Sequence, residues 1–135
     1  MRLFLDASCW FAAVYSPKGG SSRVLYQAHS HGDVVLVSKE VIAETIRNLR
    51  EKAGPKYVGY FLNLYALMRP EVVEPSTGSI HLASEVIHAK DAHVLAAAKT
   101  GRADILVTLD RQHFLTDAVK KFVAPTKIAL PKDLL

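Results

Sequence analysis

Four acidic residues, Asp6, Glu44, Asp91 and Asp110, stand at positions where a chain could do chemistry. Asp6 closes the apolar run Leu3-Phe4-Leu5, and Asp110 lies just past Ile105-Leu106-Val107. In an open parallel sheet the functional crevice lies outside the carboxyl ends of the strands, so both acids reach one edge. Glu44 lies beyond the run Val34 to Val37, about 9 Å along a following helix that rises 1.5 Å per residue, and can lean over that edge. Asp91 opens an Ala-rich stretch just ahead of the Asp110 run. Two unit charges about 5 Å apart repel by about 3 kcal/mol at an effective dielectric near 20, so converging carboxylates call for a divalent cation. Oxygen ligands of this kind suit Mg²⁺ or Mn²⁺, which can activate a water and stabilise the leaving oxygen of a phosphodiester. Each acid also has a plainer reading. Asp6 and Asp110 can be turn residues, Glu44 can pair with Arg47 on a solvated helix face, and Asp91 can cap a helix.

The elements that must position these acids alternate along the chain. Short apolar runs at Leu3–Leu5, Val34–Val37, Val72–Val73, Ile105–Val107 and Lys127–Leu130 read as strands covered on both faces. Helical patterns fall between them. They cover Ser21–Ser30, a segment capped by Ser38 and ending near Gly54-Pro55, Ser79–His88, His93–Thr100 closed by Gly101, and Asp117–Phe122. This alternation predicts an α/β domain, a central parallel sheet of five strands between two helical layers, spanning residues 1–135.

Composition excludes several classes. The chain has 135 residues and 50% hydrophobic content, enough for one buried core without disulfides. Its one cysteine, Cys9, allows neither a disulfide framework nor a cysteine zinc site, and suits a reducing cytoplasm. No apolar run approaches the roughly 18 residues of a membrane span, and no secretory leader is expected. A net charge of +4 is compatible with phosphate backbones. The six histidines show no His-x-x-x-His spacing, so no histidine metal site is expected.

The motifs Leu5-Asp6-Ala7-Ser8, Ser38 to Glu44, Asp91 to Ala98 and Val107 to Phe114, in this order, resemble the PIN domain family over nearly the whole chain. The loop Ser16-Pro17-Lys18-Gly19-Gly20-Ser21 is similar to the VapC-like subgroup, the toxins of toxin–antitoxin pairs. The resemblance implies a three-layer α/β/α fold, usually dimeric, and an Mg²⁺- or Mn²⁺-dependent endoribonuclease silenced by an antitoxin. It gives Asp6, Glu44, Asp91 and Asp110 the metal-binding and catalytic roles, with Ser8 and Thr108 supporting them through hydroxyls. The alternative is a catalytically inactive RNA-binding or scaffold protein of the same fold. One departure is that Arg111-Gln112-His113 follows Asp110 where a further acid is frequent, which bears on any second cation.

Around this core, Lys39, Arg47, Arg111 and His113 are candidates for contact with RNA, set against the plainer reading that they solvate a surface. Asp104 precedes its strand and belongs at the opposite sheet edge. From Tyr57 to Met68 only Gly59 and Asn63 interrupt apolar side chains. A helix apolar all round is either central or meets another protein, and in a chain of this size an interface is expected, with a second copy or an antitoxin segment.

Overall fold

The computed structural model describes Met1–Leu135. The expected apolar runs form five strands: β1 (Arg2–Leu5), β2 (Val34–Val37), β3 (Glu71–Val72), β4 (Ile105–Val107) and β5 (Lys127–Ala129). All pair in parallel, in the order β3-β2-β1-β4-β5. Phe4, Leu5, Leu36, Val37, Leu106 and Val107 are buried, which explains why these strands read as continuous apolar runs. The third strand is centred one residue earlier than the sequence pattern suggests.

Eight helices cover the sheet: α1 (Ala7–Tyr15), α2 (Gly20–His31), α3 (Lys39–Lys52), α4 (Pro55–Met68), α5 (Thr77–Ala83), α6 (Ala89–Thr100), α7 (Arg111–Phe114) and α8 (Asp117–Val123). A short 3-10 turn, Pro131–Leu134, closes the chain. The architecture is the three-layer α/β fold expected from the alternation. Ser38 caps α3 through a bond from the Val41 amide, as its residue type favours.

Local boundaries differ from the sequence reading in three places. The first is α1, which carries no helical periodicity because it is apolar nearly all round. Cys9, Trp10, Ala13 and Val14 are buried while Phe11 packs at the edge of the core. The second is α6, which begins at Ala89, where the His88 ring accepts a bond from the Lys90 amide at 3.1 Å. Asp91 therefore lies within the first turn and does not cap the helix. The helix before it starts at Thr77 and stops at Ala83, short of His88.

The third concerns Gly101. Its φ is −75°, and the left-handed residue is its neighbour Arg102, φ 53°. Glycine is needed here for approach. A Cβ on Gly101 would lie 2.9 Å from Val73 Cγ2 and 3.3 Å from Leu36 Cδ1. Val73 is β-branched, with a stiff χ1, so it cannot swing away cheaply.

At the amino edge of the sheet Asp104 accepts a bond from the Arg2 amide at 2.7 Å, so it lies away from the other acids, as expected. Helices α1 and α4 are joined by aromatic contacts. Trp10 meets Phe61 edge-on at 5.7 Å, and Tyr15 meets Tyr57 at 5.4 Å. On α4, Phe61 and Met68 are buried whereas Tyr60, Leu62 and Leu67 stay exposed. One side of the helix thus packs inward and another is left apolar in solvent.

The Gly101 contact gives a direct check. Gly101→Ala is expected to destabilise the fold by about 1–2 kcal/mol, overpacking outweighing the loss of unfolded-chain entropy, measured as a lowered midpoint of urea unfolding.

Candidate active site

Strand register builds the site. Leu5 pairs with Val107, so the next residues, Asp6 and Thr108, leave the sheet side by side. The sheet grows from β1 towards β2 on one side and towards β4 on the other, which makes this junction the topological switch point. Asp6 is 5% exposed. Its Oδ1 accepts bonds from Ser8 Oγ at 2.5 Å and the Cys9 amide at 3.1 Å, and its Oδ2 accepts from Thr108 Oγ1 at 2.5 Å. The Cys9 bond also makes Asp6 the cap of α1.

The two hydroxyls reach onward. Ser8 Oγ accepts from the Leu109 amide at 3.3 Å, and Thr108 Oγ1 accepts from the Asp110 amide at 3.0 Å. The loop carrying Asp110 is thereby tied to Asp6. Asp110 in turn caps the single turn α7. Its Oδ1 accepts from the His113 amide at 3.0 Å, and its Oδ2 lies 2.7 Å from His113 Nδ1.

A cleft of about 360 Å³ opens over this edge. Asp6, Glu44, Asp91 and Asp110 all line it, with Ser8. The structure thus brings together the four acids singled out in the sequence. Each comes from a different element: the end of β1, the middle of α3, the first turn of α6 and the loop after β4. Thr108 is fully buried beneath the cleft and meets it only through Asp6 and Asp110.

The basic candidates fare differently. Lys39, Arg47 and Arg111 are exposed and do not line this cleft; Arg111 lines a neighbouring cavity with Lys132. Instead Asn48 and Lys52 line it, below Glu44 on α3. They recur at every fourth residue from Glu44, so the helical spacing carried that signal. His113 belongs with the acids. Single ligand atoms from Asp91, Asp110 and His113 lie within 4.8 Å of one another, a grouping that the spacing of paired histidines could not reveal. The His-x-x-x-His criterion looks only for paired histidines, whereas this histidine partners a carboxylate three residues away.

Electrostatics separate the acids. Burial pushes the Asp6 carboxyl up from the ordinary 3.8, against the opposing bonds from Ser8, Thr108 and Cys9. For Asp110, partial burial pushes up, but the amide and ring of His113, with the charges of His113 and Lys90, outweigh it and hold the group below 3.8. Burial and the neighbouring Asp6 charge push the Cys9 thiol well up, so Cys9 offers no thiolate nucleophile. Asp91 Oδ2 is buried with no hydrogen-bond partner. A carboxylate oxygen away from water and without a donor is costly, and a cation is the partner that relieves it. The donor set is mostly carboxylate oxygen, which fits a hard divalent ion.

A family model for the PIN domain matches residues 2–112. The chain belongs to the PIN domain family. Among solved structures it is similar to a chain of VapBC2 from Rickettsia felis, bound to a DNA fragment from its promoter. The TM-score is 0.69 at 17% identity, covering 96% of this chain and 98% of that one. It is also similar to VapC20 of Mycobacterium tuberculosis, a toxin that cleaves the sarcin-ricin loop (TM-score 0.62, 18% identity, 82% and 91% covered). A third is VapBC-1 from nontypeable Haemophilus influenzae (TM-score 0.63, 16% identity, 98% and 99% covered). At these identities the likeness is one of fold. No curated protein matches the chain in sequence. PIN domains as a family are nucleases that use divalent metal. No helix of this PIN domain is long and apolar enough to cross a membrane.

The buried Asp6 charge has a measurable consequence. Its folded pKa is raised, so the folded state holds the proton more tightly and stability falls as pH rises through 3.8 and then through the higher folded value. In EDTA at neutral pH, Asp6→Asn is expected to melt at a higher temperature than the parent and to lose that component of the pH dependence, as followed by thermal unfolding between pH 4 and 8.

Proposed function

We propose that this chain is an endoribonuclease that hydrolyses RNA phosphodiester bonds with Mg²⁺ or Mn²⁺, the toxin of a toxin–antitoxin pair. The observation that carries the reading is the meeting of Asp6, Glu44, Asp91 and Asp110 in one cleft, with an oxygen of Asp91 buried and unpartnered. These four carboxylates would hold the cation. A divalent ion there would supply a lowered pKa for the attacking water and charge neutralisation at the leaving oxygen.

The chain's own groups do the rest. Ser8 and Thr108 donate to both oxygens of Asp6 and so fix its orientation. Through Thr108 the same bonds hold the Asp110 loop at a set distance. Lys52 and Asn48 sit along the cleft wall, where a cation and an amide can meet phosphate oxygens or ribose hydroxyls of an incoming strand. Arg111 extends the basic rim towards the neighbouring cavity.

The apolar side of α4 supports a protein partner. A groove of about 260 Å³ between α1, α2 and α4 is lined by Val14, Pro17, Tyr26, Tyr60, Leu64 and Leu67. The solved VapBC2 and VapBC-1 structures are of toxins together with their partners. An antitoxin segment is the occupant we assign to this groove. Leu62, exposed elsewhere on α4, offers apolar surface for the expected second copy of the chain.

The test is cleavage of a structured RNA pool with Mn²⁺, with Mg²⁺ and with EDTA. The parent should cut only with metal, and Asp6→Asn and Asp91→Asn should each lower the rate by about 100-fold or more. RNA bound but never cut, by parent and variants alike, would instead favour the scaffold alternative. Thr108→Ala should weaken metal binding about 10- to 100-fold while leaving the fold intact, as read by calorimetric titration and thermal melting.

A further inference from the structure

We propose that His113 completes a cation site with Asp91 and Asp110, and that its ring nitrogen makes this site favour first-row transition ions over Mg²⁺. The inference rests on the reading of the cleft as a divalent-metal nuclease centre and adds a ligand that reading does not contain.

Three observations converge on it. Ligand atoms of Asp91, Asp110 and His113 lie within 4.8 Å of one another. His113 Nδ1 lies 2.7 Å from Asp110 Oδ2, a hydrogen bond by which the carboxylate orients the ring, as carboxylates commonly do for ligating histidines. Asp91 Oδ2 is buried and has no donor among the protein's own groups. The placement of His113 is fixed by its backbone. Asp110 caps α7 through the His113 amide, and the next residue, Phe114, is 2% exposed and anchors the turn in the core. The backbone of His113 is therefore held beside the Asp110 carboxylate.

The chemistry follows from donor type. Mg²⁺ is a hard ion that prefers oxygen and gives up water reluctantly. Imidazole nitrogen suits first-row transition ions, whose affinity for such donors rises from Mn²⁺ to Co²⁺. Two carboxylates and one imidazole offer a mixed oxygen and nitrogen donor set. The His113 side chain is 41% accessible, so this donor set is reached from solvent.

Titration with Co²⁺, followed by its visible absorption band, and calorimetric titration with Mg²⁺ test this on the full chain. The parent should bind Co²⁺ about 100-fold or more tightly than Mg²⁺. His113→Ala should weaken Co²⁺ binding about tenfold or more, change the absorption band and leave Mg²⁺ binding within about threefold. His113→Asp, which restores an all-oxygen set, should narrow the gap between the two ions further. If His113→Ala binds both ions with the parent's ratio and spectrum, the inference is overturned while the metal centre stands. Co²⁺ held unchanged by Asp91→Asn would overturn it too, by placing the ion on another histidine. If the parent binds neither ion, the nuclease reading fails and takes this inference with it.

Discussion

Asp6 is 5% exposed, and an ionised carboxylate that far from water is tolerable only where donors or a cation surround it. This side chain sits at the switch point of the sheet, next to the residue its strand register selects. Ser8 is two residues on in the same chain, whereas Thr108 is more than a hundred residues away and arrives only through the pairing of β1 with β4. Both hydroxyls then hold backbone amides of the loop that carries Asp110. A local burden of charge is thus converted into a fixed spacing between two acids. The same carboxylate starts α1, so folding of that helix and placement of the site share one group.

The helices divide the labour around this edge. The buried helix α6 delivers Asp91 from its first turn, while Ala92, Leu95, Ala96, Ala97 and Ala98 are buried round the rest of it. Small residues there let the helix lie close. The amphipathic α3 has a different character. Val41, Thr45 and Leu49 face the core, and Glu44, Asn48 and Lys52 line the cleft. Its charge pattern is mixed because one face meets protein and another meets the open cleft. Electrostatics match this division: the deepest acid is pushed up by burial, and the rim acid Asp110 is held down by His113 and Lys90 despite its partial burial.

The pairing of α1 with α4 explains an otherwise odd composition. Trp10, Phe61 and Tyr65 fill the space between the helices with edge-on and tilted rings, a geometry favoured by the ring quadrupoles. Tyr60, Leu62 and Leu67 of α4 stay exposed. The segment is apolar all round because it has two jobs, packing inward and presenting an apolar surface outward.

Much of this could be read locally. Strands buried on both faces leave continuous apolar runs, and acids placed after such runs must reach the carboxyl edge, which is why β1, β2, β4 and the positions of Asp6 and Asp110 were legible. Ser38 was legible as a cap because a hydroxyl at that position satisfies a free amide. Helix α1 was not, since an element buried on nearly every side loses its periodicity. Nor was the strand order, which depends on how distant segments pair. The sequence by itself determined the types of donors and the edge they reach. Only the tertiary structure decided that Thr108 clasps Asp6 and that His113 stands against Asp110. Those are distances between side chains fixed by register, capping and packing across the whole chain.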